Sequence, residues 1–261
     1  MPDKKIDLKK ARVLLSNDDG IEAPGLKLLE EVVRPLVGEL WIVAPEHEQS
    51  ATSHSLTLRR PLRIPHVSER KYAVDGTPTD AVLLGVTHIL KESKPDLVLS
   101  GINRGGNLGE DVHYSGTVAA AMEGALLGIP AIAFSQYFAD RHKVKWSTAK
   151  KWTPKVLKEV LAADWPTGTF VNVNFPDVQA GKVKGIEVVR QGRRKIGGGL
   201  TIGIDPRGDE YFWIGPQRDE QKFLKGTDLA TVNDGAISVT PLTLDLTHSA
   251  SLKKFKPGLR K

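Results

Sequence analysis

The chain has 261 residues, enough for one large domain or a domain with an appendage, and its 40% hydrophobic and 26% charged residues are ordinary for a soluble globular protein. It contains no cysteine, which excludes disulfides, thiolate metal sites and cysteine nucleophiles. The net charge of +6 favours anionic partners, but the basic residues are dispersed, so no stable nucleic-acid complex is expected.

The first ten residues are charged and lack the apolar core of a secretory signal. No window approaches the ~18 consecutive apolar residues that span a bilayer. We therefore expect a mobile lead-in, a cytoplasmic location and no membrane partner.

Strand-like and helix-like segments alternate through the first half of the chain. The predicted strands are residues 11–16, 40–44, 71–74, 97–100 and 131–135. The predicted helices are residues 24–36, 79–90 and 118–127, with Thr77 or Thr79 capping the second. This alternation of nearly continuous apolar strands with helices predicts an α/β, Rossmann-like fold, with a mostly parallel sheet and helices on both faces.

The second half is less regular. We predict a helix at 147–163, strands at 170–175 and 237–241, and a protruding antiparallel hairpin around the glycine run 197–199, within residues 184–215. The resulting division is a Rossmann-like catalytic core of residues 1–180 and a β-rich C-terminal extension of residues 181–261, which returns to the core near 227–242.

The first predicted strand ends on two adjacent carboxylates, Asp18 and Asp19. Neighbouring carboxylates repel, so the pKa of one of them rises unless a cation neutralises the pair. A hard divalent ion with oxygen ligands is the obvious neutraliser, so a metal site is our leading interpretation. The alternative is a plain surface turn, because all four residues from Asn17 to Gly20 suit turns.

A polar cluster at residues 45–55 follows the second predicted strand. Another, at residues 100–107, follows the strand predicted at 97–100. Because parallel strands end along one rim of a sheet, these clusters are expected to converge on one cleft. Two carboxylates, a hydroxyl and an amide oxygen form an all-oxygen set that suits Mg²⁺ or Mn²⁺ better than structural zinc. His47, His54 and His113 lie in or near these segments and are interpreted as hydrogen-bonded rim residues, not ligands.

The segment 114–118 opens the helix predicted at 118–127, and Ser115 or Thr117 is expected to cap it. Free backbone N–H groups at a helix start bind phosphate well, although an ordinary cap explains the segment equally. Residues 75–80 are interpreted first as a turn and helix cap, and second as a loop that touches a base or sugar. There is no P-loop pattern. Together with the metal site, this predicts metal-assisted hydrolysis of a phosphate ester.

These residues resemble the SurE survival-protein family of 5'/3'-nucleotidases. The resemblance begins with LLSNDDGI at 14–21 and APG at 23–25. It continues with VAPEHEQS at 43–50, DGTP at 75–78, SGIN at 100–103, YSGTV at 114–118, GTD at 226–228 and SVTPL at 238–242. It spans most of the chain and is densest between residues 13 and 135.

The resemblance implies one divalent ion per subunit, Mg²⁺ or Mn²⁺, and a phosphate pocket. The implied metal ligands are Asp18, Asp19, Ser50 and Asn103. The implied phosphate-binding residues are Asn17, Asn107, Ser115, Gly116 and Thr117. The family hydrolyses nucleoside monophosphates, and some members also trim short polyphosphate. It also forms homodimers or homotetramers by exchanging the C-terminal extension.

This sequence departs from the family pattern in two respects. Ala51 follows Ser50 where glycine is common, and the lead-in before the first strand is longer than usual. Neither change removes a ligand.

Asp18 and Asp19 are the predicted catalytic residues, and Asp18 is a candidate for deprotonating the attacking water. The preferred base, the 5' or 3' position of the phosphate and the native metal stay open. Two other functions are alternatives. The first is a nucleotide-sugar transferase that uses Asp18 and Asp19 as its metal pair, but we identify no acceptor cleft for it. The second is a non-enzymatic RNA-binding module, for which the support is the net charge of +6.

Overall fold

The computed structural model describes residues 5–139, 143–194, 200–214 and 223–255. Within these ranges the strands are β1 (Arg12–Ser16), β2 (Glu39–Pro45), β3 (His66–Ser68), β4 (Lys71–Val74), β5 (Leu97–Arg104), β6 (Ala131–Gln136), β7 (Thr169–Phe175), β8 (Ile186–Val188), β9 (Leu200–Ile204), β10 (Glu210–Ile214) and β11 (Ile237–Thr243). The helices are α1 (Pro24–Val33), α2 (Pro78–Leu84), α3 (Gly116–Leu126), α4 (Trp146–Ala162), α5 (Asp228–Asn233) and α6 (Ser249–Phe255).

Nine strands form one sheet in the order β3-β4-β2-β1-β5-β6-β7-β11-β8. The six strands from β4 to β7 in this order pair in parallel, whereas β3 and β11 join antiparallel to β4 and β7. The strands β9 and β10 form a separate antiparallel hairpin. The predicted α/β fold with a mostly parallel sheet and a C-terminal hairpin is therefore confirmed.

Helices cover both faces of the sheet because its central strands are apolar on both sides. In β1, Val13 and Leu15 pack with α1 and α4 on one face, while Leu14 packs with α2 and α3 on the other. All three side chains are fully buried. This two-sided burial fixes the register of β1 and hence the position of the residues that follow it.

The helix ends differ from the prediction for local reasons. The first helix becomes a 3-10 turn at Arg34–Leu36, where Pro35 has no N–H to continue the α-helical hydrogen bonds. Thr77 caps α2 through a reciprocal capping box with Asp80, and the helix then widens into a π-helical turn at Gly85–Ile89. Ser115, not Thr117, caps α3, which begins at Gly116.

The hairpin turns at 205–209, where the backbone N–H of Asp205 donates to the carbonyl of Asp209 over 2.8 Å. We expected the hairpin around the glycine run 197–199, which lies outside the described residues. The turn instead uses Gly208, whose φ of +93° suits glycine. The short α6 was not predicted. Among the described residues, no helix is long and apolar enough to cross a membrane.

Candidate active site

The sheet brings the predicted ligands to one edge. The strand β1 pairs in parallel with β2 on one side and β5 on the other. Asp18 and Asp19 follow β1, Ser50 lies in the loop after β2, and Asn103 lies near the end of β5. Two backbone contacts join these segments: the N–H of Gln49 donates to the carbonyl of Asp18 over 2.7 Å, and the N–H of Arg104 donates to Oδ2 of Asp19 over 3.2 Å.

Asp18 is the most buried of these ligands, with 5% of its surface exposed. Burial, and then repulsion from Asp19, raises its pKa to about 7, although a hydrogen bond from the Thr117 hydroxyl opposes the rise. Burial also raises the pKa of Asp19, and the nearby Glu48 adds to this effect, while contacts with Arg104 oppose it. The pair therefore strongly favours a neutralising cation.

The other two predicted ligands supply neutral oxygens. Ser50 is exposed, and its hydroxyl donates to Oε1 of Glu48 over 2.8 Å. Asn103 is half-buried, and its Nδ2 donates to the carbonyl of Gly105 over 3.0 Å. This hydrogen bond uses the amide nitrogen and not the amide oxygen, which is the atom that would bind a metal.

This donor set fits a hard divalent ion. Two carboxylates, a hydroxyl and an amide oxygen match the preference of Mg²⁺ and Mn²⁺ for oxygen ligands. Across the described part of the chain, no group of three or more His, Cys, Asp or Glu residues is arranged so that it could hold a metal ion. An ion between Asp18 and Asp19 would therefore need the neutral oxygens of Ser50 and Asn103, or water, to complete its coordination.

The N-terminus of α3 lies directly against Asp18. A Cβ added to Gly116 would lie 2.7 Å from Cβ and 3.1 Å from Oδ2 of Asp18, and 3.0 Å from Cγ of Pro78. Only glycine fits so close an approach. The next residue, Thr117, donates its hydroxyl to Oδ1 of Asp18, and Ser115 accepts from the N–H of Val118 over 3.1 Å. The predicted metal and phosphate residues are thus neighbours.

Asn107 is buried and clamped by the strand β7. Its backbone N–H donates to Oδ1 of Asn174 over 2.8 Å. Its carbonyl accepts from the side-chain amides of Asn172, at 2.8 Å, and Asn174, at 3.1 Å. Its own Nδ2 donates to the hydroxyl of Ser135 over 2.8 Å. Asn172 and Asn174 were not among the predicted site residues, although two asparagines inside an otherwise apolar strand are a usable signal.

Asn17 is also buried, with 1% exposure. Its Nδ2 donates to the carbonyl of Gly20 over 2.8 Å, which tightens the turn after β1. Its Oδ1 is buried and has no hydrogen-bond partner within the described residues. A buried acceptor of this kind calls for water or a ligand that donates a hydrogen bond.

The histidines have different surroundings. His47 is well exposed, with its Nε2 4.0 Å from Oε1 of Glu46. Nε2 of His54 lies 2.8 Å from Oε2 of the buried Glu123. The backbone carbonyl of His113 accepts from the Ser53 hydroxyl over 2.7 Å. The sequence pattern indicated none of these partners, including the buried carboxylate on α3 that pairs with His54.

Comparison with known proteins gives consistent matches. The family model of survival protein SurE matches residues 13–198. A relative from Paramagnetospirillum magneticum, named 5'-nucleotidase SurE, is 61% identical over 96% of this chain and 96% of its own length. A relative of the same name from Parvibaculum lavamentivorans is 51% identical over 98% of this chain and 93% of its own. The crystal structure of the SurE protein from Aquifex aeolicus, at 44% identity, covers 95% of this chain and 100% of its own with a TM-score of 0.84.

Proposed function

This chain belongs to the survival protein SurE family, and on that premise we propose that it is a 5'-nucleotidase that uses a divalent ion to release phosphate from nucleoside monophosphates. The observation that carries the proposal is the buried Asp18, which lies between a second carboxylate and the N-terminus of α3. A cation site and an anion site in direct contact suit a phosphate ester bound through a metal.

We propose that Asp18, Asp19, Ser50 and Asn103 hold the ion, which is Mg²⁺ or Mn²⁺. When bound, the ion supplies a Lewis acid and lowers the pKa of a water molecule for attack on phosphorus. The two carboxylates neutralise the ion's charge. The hydrogen bond from Thr117 orients Asp18, and the N–H of Arg104 orients Asp19.

The phosphate pocket is proposed from the start of α3 and the Asn107 segment. The N-terminus of α3 carries a partial positive charge, so Ser115, Gly116 and Thr117 would stabilise negative charge on the phosphoryl oxygens. The clamp from Asn172 and Asn174 fixes the backbone of Asn107 against β7. In the Asn17 side chain, Nδ2, which donates to the carbonyl of Gly20, is the group that can donate to a phosphoryl oxygen.

The finer substrate range is also a proposal. Hydrolysis of 3'-monophosphates and trimming of short polyphosphate both need the same contacts to a terminal phosphate and no further catalytic group. The cytoplasmic location predicted from the sequence stays a prediction.

The test is phosphate release from a panel of 5' and 3' nucleoside monophosphates and short polyphosphate, with EDTA and then with added Mg²⁺ or Mn²⁺. We expect release that stops on chelation and returns with metal, and the panel ranks the substrates. A folded protein that releases no phosphate with either metal would contradict the proposal. Release that EDTA leaves unchanged would contradict the metal dependence.

We also propose that the extension 181–261 makes the chain a homodimer or homotetramer. A two-stranded hairpin is marginal alone, yet β9 and β10 leave large apolar side chains exposed. Among them are Leu200, Ile202, Ile204, Phe212, Trp213 and Ile214. Exposed apolar side chains in this number mark a protein contact, and a second copy of the chain is the proposed partner.

Light scattering tests this assembly. Replacing Trp213 and Ile214 together by serine is expected to lower the molecular mass of the particle, whereas Leu126→Ser, which changes an exposed leucine at the end of α3, is expected to leave it unchanged. A wild-type protein that is monomeric at every concentration would refute the proposal.

A further inference from the structure

The loop at 46–58, which we call the Ser50 loop, has an unusual backbone. It contains no regular helix or strand. Two of its non-glycine residues, Ala51 and Ser53, have positive φ angles of 59° and 54°. Residues other than glycine rarely adopt this backbone conformation, and it persists only where surrounding contacts hold it.

Several hydrogen bonds hold the Ser50 loop against the rest of the molecule. The N–H of Ser53 donates to the carbonyl of Tyr114 over 3.1 Å, and its hydroxyl donates to the carbonyl of His113 over 2.7 Å. Further along, the Thr57 hydroxyl donates to Oδ2 of Asp80 over 2.6 Å. The bond that reaches into α3 itself joins Nε2 of His54 to Oε2 of Glu123 over 2.8 Å.

Glu123 is a costly residue at its position. Only 6% of its surface is exposed, and it lies on a helix whose other buried residues are small or apolar. A buried carboxylate needs a hydrogen-bond donor to offset the loss of water, and His54 supplies one. In the described structure this burial is thus tied to the position of the Ser50 loop.

The helix α3 contacts both Asp18 and the Ser50 loop. Its first turn touches Asp18 through Gly116 and Thr117. Glu123 lies about two turns further along, on the same side of the helix as Gly116. A helix is rigid over this length, so a loop fastened to Glu123 is positioned relative to Asp18.

We propose that the His54–Glu123 hydrogen bond is a latch that positions the Ser50 loop, and with it the Ser50 hydroxyl, relative to Asp18 and Asp19. His54 and Glu123 are positioning residues: they act on the ion through the loop. The proposal rests on the proposed metal-dependent function, because Ser50 is a ligand only if that function is right.

The first measurement is Mn²⁺ binding to metal-free protein, by isothermal titration calorimetry. The variants are His54→Ala, His54→Gln and Glu123→Ala, with His88→Ala, an exposed histidine just after α2, as the control. We expect His54→Ala to weaken Mn²⁺ binding about 10-fold, as is usual when an outer contact to a ligand is lost. His54→Gln is expected to restore most of the affinity, because its amide N–H can still donate to Glu123.

Two readouts separate positioning from plain stability. At saturating Mn²⁺ the His54→Ala enzyme is expected to recover nearly the wild-type kcat, because added metal compensates for a displaced ligand. His54→Ala is also expected to have little additional effect in a Glu123→Ala background, because either change alone removes the hydrogen bond. A lowered melting temperature with unchanged Mn²⁺ affinity would overturn the positioning role.

Hydrogen exchange distinguishes failure of the latch from failure of the proposed function. In metal-free protein, His54→Ala is expected to speed amide exchange in the peptide covering 50–57, while exchange in β1 stays unchanged. Unchanged exchange together with unchanged Mn²⁺ affinity would overturn the latch. A wild-type protein that binds no Mn²⁺ would overturn the metal site and the positioning role, whereas faster loop exchange in His54→Ala would then still establish the latch itself.

Discussion

Two of the regions that supply candidate metal ligands, the end of β1 and the Ser50 loop, are held in different ways. The end of β1 is fixed by parallel strands on both sides, and its Asp18 is buried against α3. The Ser50 loop has no strand or helix of its own and is held by individual hydrogen bonds from its backbone and side chains, and Ser50 itself is exposed. The carboxylates that carry the charge are therefore preorganised by the fold, while the neutral ligand depends on local contacts. Substitutions in the two regions should differ accordingly in size.

The largest effect is expected at the end of β1. Asp19→Ala should lower kcat/KM for phosphate release about 1000-fold, because a metal ion contributes several kcal/mol to charge stabilisation in the transition state. The melting temperature should not fall, because the change removes a partly buried carboxylate that repels Asp18. Steady-state assays and thermal unfolding check both expectations. A stable Asp19→Ala protein with full activity would refute the metal mechanism.

The next largest effect is expected where α3 meets β1. Gly116→Ala puts a methyl group within 2.7 Å of Cβ of Asp18, so the helix start and the carboxylate must move apart. A displacement of about 1 Å at a reacting centre costs about 100-fold in rate, and we expect a fall of that order in kcat/KM.

The matched control is Gly181→Ala, because an added Cβ there meets nothing within 4 Å. Equal kinetics for Gly116→Ala and Gly181→Ala would mean that the close approach of α3 to Asp18 has no role in catalysis.

A smaller effect is expected in the Ser50 loop. Ser50→Ala removes one neutral oxygen and should weaken Mn²⁺ binding about 10-fold, corresponding to about 1.4 kcal/mol. Activity should recover when Mn²⁺ is raised, unlike that of Asp19→Ala. Calorimetry measures the Mn²⁺ affinity, and titration of the activity with Mn²⁺ measures the recovery. If Ser50→Ala were as damaging as Asp19→Ala at saturating Mn²⁺, the contrast between the two regions would be wrong.

The smallest effect is expected at the start of β2, at the opposite end of that strand from the Ser50 loop. Burial acts to raise the pKa of Glu39, but hydrogen bonds from Trp41 and Arg12 outweigh it and hold the pKa below the ordinary 4.5. The bond from Nε of Arg12 is 2.6 Å long. Glu39→Gln should therefore lower the free energy of unfolding at pH 7 by about 1 kcal/mol and leave Mn²⁺ affinity unchanged.

The pH dependence of this effect has a definite sign. A carboxyl with a depressed pKa in the folded state stabilises the protein above its unfolded pKa, and this contribution is lost as the pH falls through the folded pKa. The difference between wild type and Glu39→Gln should therefore shrink below pH 4.5. Urea unfolding at a series of pH values measures it. A difference that grows on acidification would contradict the assignment.

The sequence alone determined the fold class and most of the strands and helices. The apolar composition of strands such as β1 predicts that they are buried on both faces. The capping residues Thr77 and Ser115 predict where their helices begin. The sequence also predicted that the polar segments after the parallel strands meet at one edge of the sheet, whereas the individual site residues were predicted from the resemblance to the SurE family.

The tertiary structure decided which side chains touch. The contact of Gly116 with Asp18 and the pairing of His54 with Glu123 join residues that lie far apart in the sequence. So does the clamp of Asn172 and Asn174 on Asn107. Periodicity reports which face of an element is buried, but not which neighbour it meets. Hydrogen bonds depend on distances within a few tenths of an ångström, and packing alone sets those distances.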